Sequence, residues 1–189
     1  MLNNLRGILR PILERIGRTC AATGLSPNFW TGVGLAFAVA SAAAYGLAPE
    51  FGLFIGGMLL LISGFFDMVD GQVARVTGKT SDRGQYMDSM SDKIAEVAIF
   101  LGILVGGYAD PYLVFLAASL SLLVSYARAK SDIINIKLQG IGIGERAERL
   151  LVIAIIGMIG FMEPAVIIVI IIAAITLIQR IIFTSRNIK

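Results

Sequence analysis

Six times along this chain a largely apolar stretch, about as long as a bilayer is thick, gives way to a short turn. The stretches cover residues 28–47, 51–76, 84–107, 111–129, 146–161 and 165–183. Their apolar parts are continuous and lack the two-residue alternation of a half-buried strand. A segment crossing hydrocarbon must satisfy its own backbone hydrogen bonds, so these runs are read as helices. Hydrophobic residues make up 57% of the chain and the mean hydropathy is +0.82, well beyond a soluble domain. The expected fold is an all-α integral membrane protein with one domain over residues 1–189. It comprises an N-terminal amphipathic interfacial helix in 1–23 and six transmembrane helices in 24–189.

The interfacial helix rests on Leu2, Leu5, Leu9, Ile12, Leu13 and Ile16, which recur near a helical period among Arg6, Arg10, Arg15 and Arg18. These charges break any continuous apolar core, which argues against a cleaved signal peptide. Asn3 stands where a cap would. Ser26 and Pro27 open the first spanning helix, and Gly78 closes the second.

The sidedness of charge orients the bundle. The 16 Lys and Arg fall before the first helix, around the second-to-third turn, around the fourth-to-fifth connection and at the C-terminus. The opposite turns carry Glu50, Asp110 and Glu163 and no basic residue. The positive-inside rule then puts both termini in the cytoplasm, in a multi-pass protein of the cell membrane. A net charge of +3 and a pI near 9.2, placed this way, address anionic head groups and phosphorylated substrates rather than nucleic acid.

The stretch from Asp67 to Asp92 reads D-M-V-D-G-Q-V-A-R-V-T-G-K-T-S-D-R-G-Q-Y-M-D-S-M-S-D. Asp67, Asp70 and Ala74 share one helix face, and so do Gly84, Asp88 and Asp92. A turn near Gly78 brings the two faces together. Acids at the membrane edge are costly and seldom kept without a role. Their repulsion calls for a counter-charge, and hard oxygen ligands favour Mg²⁺, Mn²⁺ or Ca²⁺ over zinc. With no His in the chain, imidazole acid–base chemistry is excluded, and any general base is first sought among Asp and Glu. A single cysteine, Cys20, excludes an internal disulfide. Glu96 extends the second acidic face by a turn and has two readings, as support for the site or as a bonded group inside the bundle.

The pattern D-x-x-D-G-x-x-A-R, an eight-residue spacer and G-x-x-x-D-x-x-x-D resembles the signature of the CDP-alcohol phosphotransferases at Asp67, Asp70, Gly71, Ala74, Arg75, Gly84, Asp88 and Asp92. The resemblance implies a CDP-lipid donor, an alcohol acceptor and release of CMP. It also implies divalent metal, Mg²⁺ or Mn²⁺ and two ions, held by Asp67, Asp70, Asp88 and Asp92, with Asp92 as general base. Nucleotide-binding residues would be Pro27, Asn28, Thr31, Asp67, Gly71, Ala74, Arg75 and Gly84. Pro27 and Asn28 also suit ordinary capping, and the two glycines also suit close helix packing. A homodimer is a further implication.

The segments S-Y-A-R-A-K and E-R-A-E-R are similar to the inositol-phosphate branch of that family, whose products are phosphatidylinositol phosphate or its archaeal ether counterpart. Inositol 1-phosphate would then be the acceptor, its phosphate read by Arg128, Lys130, Arg146, Arg149 and Arg186. Some of these cations also suit anchoring at the inner leaflet. The alternatives are the same chemistry with glycerol 3-phosphate or another alcohol, and a non-catalytic protein that carries cations. The lipid, ester or ether, stays open.

Overall fold

The protein is described by a computed structural model covering residues 2–48, 50–138 and 140–188, with side-chain surroundings from residue 11 onward. Seven helices are present among the described residues: α1 (Leu2–Ala21), α2 (Pro27–Leu47), α3 (Gly52–Thr77), α4 (Asp82–Gly106), α5 (Pro111–Ile133), α6 (Arg146–Met158) and α7 (Met162–Asn187). The side chains of Leu2, Asn3, Leu5, Arg6, Leu9 and Arg10, and the whole of Pro49, lie outside the described set.

Local chemistry sets the helix ends. Ser26 caps α2 by accepting from the Phe29 amide, with Pro27 in the first turn. Gly78 ends α3 in the left-handed conformation at φ 64°, where a side chain would be strained. Asp110 accepts from the Tyr112 and Leu113 amides ahead of Pro111. Ser81 accepts from the Gly84 amide and starts α4 at Asp82, earlier than the residue 84 expected from the motif. Glu145 and Glu148 form a capping box at the head of α6.

Four helices, α2, α3, α5 and α7, are long and apolar enough to cross a membrane. α4 carries its charges in its first 15 residues, Asp82 to Glu96. α6 ends at Met158 rather than residue 161, so its 13 residues span only about 20 Å, against a hydrocarbon core of ~30 Å. Gly160, at φ 90°, turns the chain into α7.

The tightest packing joins α2 to α3 and α4. A Cβ on Gly102 or Gly106 of α4 would run into the α2 carbonyls of Ala42 and Tyr45. Here small residues do bring backbones together. α5 packs on α7, and α6 packs on α3 and α7. α1 lies along α3, with Gly17 buried against Gln72. The core of Tyr45, Leu60, Ile99, Ile103, Ile153 and Val169 fills the bundle and holds the charged halves of α3, α4 and α6 around one centre.

Candidate active site

Asp67 projects from α3, Asp88 and Asp92 from α4. Each offers a carboxylate oxygen within 4.8 Å of the other two. All three are half-buried. Arg146, from the first turn of α6, enters this group. Its Nη1 lies 2.6 Å from Asp92 Oδ1 and 3.3 Å from Asp67 Oδ1. One guanidinium thus offsets part of a concentrated negative charge. The donors are carboxylates without thiol or imidazole, which fits Mg²⁺ or Mn²⁺.

Asp70 stands apart from the triad. It is 6% exposed, and its Oδ2 accepts a 2.6 Å hydrogen bond from Thr31 Oγ1 on α2. This bond ties the start of α2 to the motif. Asp70 still borders a narrow cleft with Asp67 and Asp92.

Two cavities flank the acids. The first, about 460 Å³, lies where α2, α3 and α4 diverge. Its walls include Pro27, Asn28, Thr31, Asp70, Gly71, Ala74, Arg75 and Gly84. Every expected nucleotide residue except Asp67 is therefore on one surface. A Cβ on Gly71 would meet nothing within 4 Å, so this glycine faces the cavity and is not a packing contact. Gly84 lies beside the Asn28 side chain and the Ser81 hydroxyl.

The second cavity, about 280 Å³, opens among α4, α5, α6 and α7. Arg128, Arg146 and Arg149 border it, as do Lys93 and Arg180, two cations that the sequence did not single out. Arg180 is 3% exposed and donates to the carbonyls of Val124 and Ile141. It ties the second half of α5 and the α5–α6 connection to α7. Arg149 has both terminal nitrogens engaged, one by Glu96 and one by the Gly144 carbonyl. Lys130 is exposed, with its Nζ 5.6 Å from the centre of the Tyr126 ring. Arg186 borders a different groove, with Gly140, Gly142 and Phe183. Gln85 and Asp88 border both main cavities.

A cavity lined by glycines, small polar groups and the cations Arg75 and Lys79, an acid triad, and a cavity where five cations face four acids stand side by side. That arrangement suits transfer of a phosphorus group between two bound partners. Comparison with known proteins agrees. Residues 25–184 match the family model described as CDP-alcohol phosphatidyltransferase. An archaetidylinositol phosphate synthase from Pyrococcus horikoshii is 32% identical over 189 residues, covering 100% of this chain and 99% of the relative. A phosphatidylinositol phosphate synthase from Streptomyces avermitilis is 34% identical over 160 residues, covering 80% of this chain and 64% of the relative. The crystal structure of Mycobacterium tuberculosis phosphatidylinositol phosphate synthase with CDP-DAG bound superposes with a TM-score of 0.79 at 25% identity, covering 92% of this chain and 94% of that one. The chain therefore belongs to the CDP-alcohol phosphatidyltransferase family, as an enzyme of phospholipid biosynthesis.

Proposed function

We propose that this enzyme transfers the lipid phosphate of a CDP-lipid to a hydroxyl of inositol 1-phosphate, releasing CMP. One observation carries the reading: the acids of α3 and α4 separate a cavity walled by the family motif from one walled by cations. The first suits a nucleotide diphosphate, whose phosphates can approach closely at Gly71 and meet the planar fork of Arg75. The second suits a small phosphorylated alcohol. The names of the Pyrococcus and Streptomyces relatives share inositol phosphate and differ in the lipid. That supports the acceptor and leaves both CDP-diacylglycerol and CDP-archaeol as donors to try.

In this reading the acceptor phosphate rests against Arg128 and Arg146, with Lys93, Arg149 and Arg180 in the wall behind. Asp92 takes the proton from the attacking hydroxyl. The oxygen bonds to the phosphorus nearer the lipid, and the bond to the CMP oxygen breaks. Asp67, Asp88 and Asp92 are the residues that would hold divalent metal, with Asp70 beside them. Such an ion supplies positive charge to the diphosphate when bound. Arg146 keeps Asp92 aimed between the cavities.

The same reading takes α2 to α7 as six crossings in a homodimer, with both termini and both cavities on the cytoplasmic side where the basic residues gather. In a Cys20→Ser background, an impermeant thiol reagent should label Lys79→Cys in inside-out vesicles but not in intact cells.

The acceptor is tested by offering inositol 1-phosphate, glycerol 3-phosphate and serine to purified protein with either CDP-lipid and Mg²⁺, and measuring CMP. Turnover with inositol 1-phosphate, lost on chelation and restored by Mg²⁺ or Mn²⁺, is the expected result. Turnover confined to another alcohol would replace the acceptor. Cation flux through liposomes without CMP would replace the reaction altogether.

A further inference from the structure

Glu96 lies one helical turn beyond Asp92 on α4, and Arg149 one turn beyond Arg146 on α6. Both are 1% exposed. Arg149 Nη2 donates to Glu96 Oε1 at 2.7 Å, and Arg149 Nη1 donates to the Gly144 carbonyl at 2.9 Å. Gly144 immediately precedes the N-cap of α6, Glu145. The ion pair therefore reaches from α4 to the first turn of α6, the turn that carries Arg146.

A buried ion pair contributes little net stability, because desolvation offsets most of the attraction, and an apolar pair of equal volume would fill the space as well. Its use here is geometric. α4 packs chiefly on α2 and α5, and α6 chiefly on α3 and α7. The two helices meet through long side chains, which form a ladder. The upper rung is Asp92–Arg146 and the lower is Glu96–Arg149. The second carboxylate oxygen of Glu96 has no hydrogen-bond partner, but Lys93 Nζ lies 4.0 Å away. One buried carboxylate thus stands between two cations that both border the cationic cavity.

We propose that Glu96 is a positioning residue for the acceptor side of the enzyme. It holds Lys93 and Arg149 in the cavity wall, and through Gly144 it sets where α6 begins and where Arg146 points. The inference rests on the two-cavity reading above, in which the cationic cavity receives the acceptor. It does not depend on which alcohol that is.

The test compares the two KM values of the full-length purified protein, using whichever alcohol the wild type turns over. Glu96→Gln keeps the shape and an acceptor oxygen for Arg149 but removes the charge. The acceptor KM should rise about tenfold while the CDP-lipid KM stays within about twofold. The melting temperature should fall, because the buried Arg149 loses its counter-charge, but its increase on adding CDP should be retained. Glu96→Asp keeps the charge but withdraws it by a methylene, and should raise the acceptor KM alone by a smaller factor; it carries the test if the Gln variant fails to fold. A folded variant of either kind with unchanged acceptor KM, or with both KM values raised alike, overturns the proposal. If inositol 1-phosphate proves not to be a substrate, the acceptor reading fails while the comparison of KM values still stands.

Discussion

The two cavities beside the aspartates are built by opposite means. The wall of the first cavity comes from the start of α2 and from the stretch that joins α3 to α4, on helices pressed together through glycines, and its key feature is the absence of side chains at Gly71 and Gly84. The wall of the second cavity comes from four helices, and its features are long cationic arms held from behind by carbonyls and by Glu96. A close-approach surface is specified by small residues at fixed spacing. A charged pocket that must pick one alcohol is specified by where arms are anchored, and the anchors lie far apart along the chain.

Asp92 borders the second cavity within the acid triad, and its loss should stop the step that joins the two sides. Asp92→Asn keeps the volume but cannot take a proton. CMP release should fall by about 10²–10⁴, the range for a lost general base. CDP-lipid binding, followed by protection against thermal unfolding, should be largely retained. Undiminished turnover would remove Asp92 from the chemistry.

Glycines separate the two kinds of wall next. Gly71→Leu projects into the first cavity, where a Cβ meets nothing. The CDP-lipid KM should rise about tenfold or more, with little change in melting temperature. Gly102→Ala pushes on the Ala42 backbone and should cost about 1–3 kcal/mol as overpacking between α2 and α4. Its two KM values should move little. If Gly71→Leu destabilises and spares the KM, the first cavity is not the donor's.

This contrast also marks how far the sequence could be read. The aspartate faces, the Gly78 stop and the Ser26–Pro27 start follow from helical spacing and capping chemistry, because their partners are near neighbours or lie across one turn; the residues of the first cavity were instead implied by the resemblance, and all but Asp67 border it. Within the acids a split was hidden: Asp70 turns to Thr31 while Asp67 turns to α4 and α6. The start of α4 was legible in Ser81, whose hydroxyl is a helix cap, but the motif drew the boundary to Gly84. α6 looked longer because Ile159 and Phe161 keep the apolar run going past the turn at Gly160. Lys93 and Arg180 went unread for a different reason. Whether a basic residue near a helix end faces a cavity or the head groups depends on how that helix is rotated in the bundle, and composition is the same either way.

Arg128 probes the second cavity without disturbing its frame, since it is exposed and borders that cavity from the end of α5. Arg128→Ala should raise the acceptor KM about tenfold, the value of one charge-assisted contact. The CDP-lipid KM should not follow. An equal rise in both would mean that the two cavities are not separate binding sites.

The smallest effect expected is at Arg186. It is as basic as Arg128 and also sits near a helix end, so charge and sidedness alone would give the two residues the same part. The structure separates them: Arg186 borders the groove with Gly140 and Phe183, while Arg128 borders the cavity that contains Asp88 and Asp92. Arg186→Ala should leave both KM values and turnover within about twofold of wild type, as for an exposed charge away from the reacting groups. A selective rise in the acceptor KM would show that cations outside the cavity wall also hold the substrate. The acceptor side would then be a diffuse basic rim at the membrane edge, and not a pocket set by anchored arms.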